Sequence, residues 1–352
     1  MNETKRVKSE YWQAVRGICI LVVIMIHCPT GQQFSVNDTY AWLVLRQIIN
    51  FPVALFIFMA GYFTNTDKIE QSRRTYILNL CGGGVVPYFV WSSLYLLKDC
   101  LLSGDVSLKH IVYAYCTGKA ATPFYYIVVM VQLSFLTPLM VKIKNRKWLY
   151  AVTPVYLVGL YIYNIVTGTM PRLYETFFPA WFGFYVLGMD YRTGKWDNVV
   201  EKAQKCWIVA ALGLSVIEAF VLLRYGCAIG FASSQIRFGS FLYTVIIAMI
   251  LMKGANGKVK AGYRKGNKTI EGVVRKLLAS IGDCSYGIFY FHILVLTVVK
   301  KLVSFTAALQ VWVLYFLICF VLTAMISYMF VWVTRKIAEW VRGEGFLKII
   351  GF

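Results

Sequence analysis

The chain has 352 residues, of which 59% are hydrophobic and only 15% charged. Soluble domains run near roughly 45–50% apolar and about 25% charged, so a soluble enzyme, a disordered protein and a nucleic-acid module are excluded. The net charge of +20 lies in short gaps between apolar runs, where it sets membrane topology instead of attracting nucleic acid.

A spanning helix needs about 20 mostly apolar residues. Ten such runs are expected: Gly17–Thr30, Trp42–Phe63, Tyr76–Leu97, Pro123–Val141, Trp148–Val166, Phe177–Met189, Cys206–Leu223, Phe238–Met252, Ile281–Val299 and Ala307–Val333. The sixth is short and glycine-interrupted. The predicted fold class is all-α, a polytopic bundle of about ten transmembrane helices forming one domain over residues 1–352. The amino-terminal segment (1–16), a basic loop (253–280) and the tail (334–352) are expected in the cytoplasm. With both termini inside, 27 of the 36 Lys and Arg fall in inner segments and eight in outer ones. That asymmetry points to the inner membrane of a cell with both ends cytoplasmic. No cleaved leader, internal repeat or appended soluble domain is expected. The nine cysteines form no CxxC pair, so neither a disulfide framework nor a metal site is signalled.

Ionisable groups inside a bilayer are costly, and they mark function by default. Arg16 sits at the cytoplasmic mouth of the first helix, and His27 lies eleven residues on, about 16 Å deeper. Eleven steps of 100° end about 20° past three full turns, so the two share a face. Glu218, about twelve residues into the seventh helix, and His292, about eleven into the ninth, reach similar depth. Arg46 lies about a turn inside the outer end of the second helix. These groups need partners or water, and a polar cavity supplies both. Plainer roles are open to each. Either histidine can simply bond a neighbouring helix. Glu218 can be the counter-ion of Arg46 or Arg224, and Arg16 a topology charge.

Other features read as structure. Gly82-Gly83-Gly84 lacks the Lys-Ser/Thr of a phosphate loop and suits close helix packing or a flexible helix start. Cys28, adjacent to His27, points about 100° away and reads as an inert thiol. Tyr11-Trp12 and Tyr113–Tyr115 read as interfacial anchors. The basic stretch Lys253–Lys276 reads as a solvated loop near anionic lipid, or one that attracts a polyphosphate anion.

Three segments carry a family resemblance. Arg16 to His27 is similar to the opening Arg-x10-His signature of the integral-membrane acyltransferase-3 family. Phe51-Pro52-Val53-Ala54-Leu55-Phe56-Ile57-Phe58-Met59-Ala60-Gly61-Tyr62-Phe63 resembles that family's Pro/Val-x-Leu-Phe-Phe-x-x-Ser-Gly-Tyr segment. Ser285-Tyr286-Gly287-Ile288-Phe289-Tyr290-Phe291-His292 resembles its Ser-Tyr-Gly-Ile-Tyr-x-x-His element. The chain departs from the pattern at Gln13, where an acidic residue is usual, at Ala60, and in having no Arg-x-x-Arg after Arg73-Arg74.

The resemblance implies transfer of an acyl group, most often acetyl, from cytoplasmic acetyl-CoA or another acyl-CoA to a hydroxyl of a cell-envelope glycan or lipid-linked sugar. His27 would be general base or acyl carrier, with Glu218 and His292 as further catalytic candidates. Arg16, Arg46, Arg73, Arg74, Tyr62 and Tyr286 are the candidate donor- and substrate-binding residues. The expected partners are acyl-CoA, the sugar acceptor and the lipid bilayer, with no bound cofactor and no nucleic acid. A related membrane module, fused to serine racemases in vancomycin resistance, is implicated in amino-acid uptake. A transporter of a polar solute is therefore the alternative, although no repeated pair of broken helices is visible. A membrane glycosyltransferase would need acidic residues in the first outer loop, where only Asp38 is available.

Overall fold

The computed structural model describes residues 3–29, 35–64, 69, 72, 75–76, 81–103, 107–143, 145–260, 270–304, 311–341 and 343–352. Among these the regular structure is helical and no strand occurs. In chain order the helices are α1 (Glu3–His27), α2 (Val36–Ile48), α3 (Pro52–Phe63), α4 (Val86–Ser103), α5 (Leu108–Thr117), α6 (Tyr125–Lys142), α7 (Val152–Thr167) and α8 (Pro179–Arg192). There follow α9 (Asp197–Lys202), α10 (Cys206–Arg224), α11 (Ile229–Ala232), α12 (Phe238–Lys260), α13 (Ile270–Asp283), α14 (Ser285–Val303), α15 (Trp312–Trp340) and α16 (Glu344–Ile350).

Nine helical stretches among the described residues are long and apolar enough to cross a bilayer. The chain is thus an all-α, multi-pass membrane protein. The expected sixth span is the exception. It is α8, only 14 residues long and buried from Ala180 to Tyr191. At 1.5 Å per residue it covers about 21 Å, short of a roughly 30 Å hydrocarbon core.

Several boundaries move. The first helix begins at Glu3 and stops at His27, so most of the expected cytoplasmic segment is helical. The second span, Val36–Phe63, is interrupted at Ile49–Phe51. Pro52 opens α3, and a residue preceding proline is steered out of helical geometry. Part of the basic 253–280 stretch is helix, in the end of α12 and in α13, while 261–269 lie outside the described residues. Gly83 has open space where a side chain would be, so it starts a helix and does not pack one closely. Trp12, expected as an interfacial anchor, is 2% exposed within the protein.

The chain divides into two compact units, Met1–Phe56 with Thr193–Trp332, and Ile57–Arg192 with Val333–Phe352. In the first unit α1 lies along α13 and α14 in parallel and at constant register. Glu10 pairs with Arg275 at 3.5 Å, Gly17 meets Gly282, and His27 faces His292. Any side chain at Gly17 would overlap the Leu278 carbonyl, and any at Gly282 the Gln13 carbonyl. Glycine at both positions is what lets the backbones approach.

In the second unit α8 is the core. Gly61 lies against the Tyr185 carbonyl and Gly188 against that of Phe58, which draws α3 onto α8. The Tyr185 hydroxyl bonds Thr64 at 3.0 Å and Thr137 at 2.9 Å. At the tail, Trp91 donates to the Ile350 carbonyl at 2.8 Å and stacks on Phe352.

Candidate functional site: a histidine pair beside two cations

His27 is the last residue of α1, whereas α14 continues eleven residues past His292 to Val303. That is about 16 Å of helix beyond the end of α1. The first helix therefore stops part-way along its partner. Its last carbonyls have no helical acceptor role left, and such orphan groups need partners. Lys300 supplies one, its Nζ donating to the His27 carbonyl at 3.2 Å. Trp312 Nε1 donates to the Pro29 carbonyl at 3.1 Å. An ammonium at a helix carboxyl end also complements the dipole.

The His27 and His292 rings stand 5.5 Å apart, centroid to centroid, and tilted by 44°. His292 is fully buried. Its Nδ1 donates to the Ile288 carbonyl at 2.9 Å. A carbonyl can only accept, so in the neutral ring Nε2 carries the lone pair. That Nε2 is buried and has no hydrogen-bond partner among the described residues. His27 is half-buried, and its ring nitrogens bond nothing among the described residues. The charged groups near enough to act on His27 are Arg46 and Lys300, and among the described residues no carboxylate joins them. The charge acting on the imidazole pair is thus positive among the described residues.

Arg16 is half-buried on the same continuous helix, so its face-sharing with His27 holds along α1. Tyr286 is in the first turn of α14, its hydroxyl 2.9 Å from that of Tyr290. Tyr62 belongs to the second unit, where it stacks on Phe58. Arg73 and Arg74 lie outside the described residues.

Glu218 is held elsewhere in the first unit. Its carboxylate accepts from the backbone nitrogens of Phe238 and Gly239, at 3.1 and 2.9 Å, at the start of α12. It also pairs with Arg237 at 3.1 Å. Arg237 is thus a counter-ion of Glu218, and Arg224 forms no ion pair among the described residues. Arg237 is completely buried. Its guanidinium bonds Gln47, the Ser215 carbonyl and hydroxyl, Ser240 and the Ser234 carbonyl. Asn50 joins the network through Gln47 and the Ser233 and Ser234 carbonyls.

Two of these residues, Lys300 and Arg237, read in the sequence as ordinary outer charges flanking a span. A signal was present for Arg237. It directly precedes the apolar run of α12, and the only acid deep in a neighbouring helix, Glu218, needed a cation.

Comparison with known proteins agrees with the motifs. Residues 9–332 match the acyltransferase-3 family, described as an acyltransferase domain. No curated protein and no solved structure matches the chain. A match over nearly the whole chain, on a helical multi-pass body, leads to one conclusion: the chain belongs to the acyltransferase-3 family and is a membrane acyltransferase.

Proposed function

We propose that the protein moves an acyl group, acetyl in the simplest case, from cytoplasmic acyl-CoA to a hydroxyl of a cell-envelope glycan or lipid-linked sugar. The observation that supports it most is the His27–His292 pair beside Arg46 and Lys300, with no carboxylate acting on His27 among the described residues. His292, its tautomer set by the Ile288 carbonyl, offers the Nε2 lone pair to an N–H of His27. The other His27 nitrogen is then a base. It takes the proton of the acceptor hydroxyl as the oxygen attacks the thioester carbonyl. The tetrahedral oxyanion gains from the positive field of Lys300 and Arg46. Collapse breaks the C–S bond, and the departing CoA sulfur takes the proton from His27.

Arg16, about 16 Å back along the same face, holds the CoA phosphates at the cytoplasmic mouth. His292 is a positioning residue here, and Glu218, engaged with Arg237, stays outside the scheme. Arg73, Arg74, Tyr62 and Tyr286 are donor-site candidates through the resemblance alone. The inner membrane and cytoplasmic termini follow from the distribution of Lys and Arg.

The test is CoA release by the purified protein in nanodiscs, given acetyl-CoA and the host's envelope glycan. Glycan-dependent release is expected. Solute flux in liposomes with no consumption of acetyl-CoA would replace this reading with transport.

A further inference from the structure

A different feature, confined to the second unit, has no part in that scheme. The sixth pass is not a helix along its whole length. Between α7 and α8 the chain descends as an irregular loop, 168–178. The Tyr156 hydroxyl, eleven residues back from the end of α7, donates to the Tyr174 carbonyl at 2.8 Å. Gln132, seven residues into α6, donates to the Thr176 carbonyl at 2.9 Å and accepts from the Phe178 nitrogen at 3.0 Å. Seven residues of helix are about 10 Å, so the loop lies well within the depth of the flanking spans. Irregular backbone at membrane depth survives only when it is buried in protein or lines a hydrated cavity.

A cavity of about 600 Å³ opens there, lined by the loop, α6, α7 and the end of α5. Its wall combines aromatic faces, Tyr156, Tyr163 and Phe177, with polar groups that the protein leaves unused. Thr176 is 6% exposed, and its Oγ1 is buried with no partner among the described residues. Among the described residues Arg172 forms no hydrogen bond or ion pair, and the Tyr163 hydroxyl forms no bond. A buried hydroxyl left unbonded is destabilising unless something outside the protein satisfies it. Leu173 holds a φ of 63°, a left-handed geometry that is strained for a residue with a side chain. An acyl chain in this cavity would leave the hydroxyl and the guanidinium unsatisfied.

We propose that this cavity is a saccharide-binding site. The apolar C–H faces of sugar rings lie on Tyr156, Tyr163 and Phe177, whose aromatic faces are negative. Sugar hydroxyls bond Thr176 Oγ1, the Tyr163 hydroxyl and the Arg172 guanidinium. As the docking place of the acyl acceptor, the site rests on the function proposed above; as a saccharide site it does not. The Lys and Arg distribution puts the mouth of the cavity outside the cell.

Cys116 lines the cavity and is exposed, so the protein carries its own reporter. Intact cells are treated with a membrane-impermeant maleimide, and label at Cys116 is read by peptide mapping. The competitor is the oligosaccharide mixture released by mild acid from the host envelope. Labelling from outside and protection by the saccharide are expected. Thr176→Val and Tyr163→Ala should each weaken protection and raise the acceptor KM about ten-fold, with the loss in acceptor KM and not in kcat or donor KM. Tyr163 is exposed, so its variant keeps the test valid if Thr176→Val misfolds. No label from outside overturns the proposal. So does label without protection by a saccharide that the same preparation acylates, which leaves the transferase reading standing. Protection in a protein that never consumes acetyl-CoA keeps the saccharide site and discards the transferase reading.

Discussion

Two polar clusters sit in the same unit, and they are built on opposite principles. Around Arg237 the charged groups have been given to others: the guanidinium to Glu218, Gln47, Ser215 and Ser240, and the carboxylate to the start of α12. A desolvated ion is tolerated when it is paired and hydrogen-bonded, and that cluster ties α2, α10 and α12 together. Around His27 the ring nitrogens, and Nε2 of His292, bond nothing among the described residues. The contrast separates structure from chemistry better than depth in the membrane does. Glu218 and His292 looked alike as intramembrane ionisable groups, and only their partners tell them apart.

The contrast can be broken by substitutions at four positions, taken from the largest effect down. His27→Ala should lower kcat for CoA release by about 10²–10⁴ while thermal unfolding in detergent is unchanged. A variant with wild-type turnover would remove His27 from the chemistry. Arg237→Ala should do the reverse in kind. It strands the Glu218 charge and costs about 3–5 kcal/mol of stability, read as a lower unfolding temperature and weaker resistance to denaturant. Gly282→Ala should cost about 1–3 kcal/mol, because its methyl must push the Gln13 backbone away, and should lower kcat as α1 shifts against α14. His292→Phe should lower kcat about ten-fold, and His292→Gln should recover most of it by restoring an acceptor. If Phe and Gln are equivalent, His292 is packing and not a positioning group.

Much of the site could be read from residue spacing. The Arg16–His27 offset needed only helix geometry, and α1 is continuous between them. The Ser285–His292 segment put the second imidazole on a helix of its own, and the apolar runs gave nine of the ten passes. What escaped were properties made by distant partners. Arg237 looks like a loop charge until Gln47, 190 residues away, closes over it. Lys300 looks like a flanking lysine until the parallel packing of α1 and α14 brings the His27 carbonyl within its reach. The interruption at Ile49–Phe51 escaped too, since the expected span ran straight through it, while Asn50 is held by carbonyls of a distant segment.

The constant register between the first helix and α13–α14 has a consequence for how the protein is made. The two imidazoles are far apart in the chain, the first near its start and the second near its end. At synthesis rates of about 5–20 residues per second, α1 waits roughly 13–53 s in the membrane before its partner emerges. Until then His27 has no opposing ring, and Gly17 has no Gly282 to lie against. In the scheme proposed above, catalytic competence is therefore a late event in biogenesis, and a ribosome that stalls after the seventh or eighth pass would leave an inserted but inert protein.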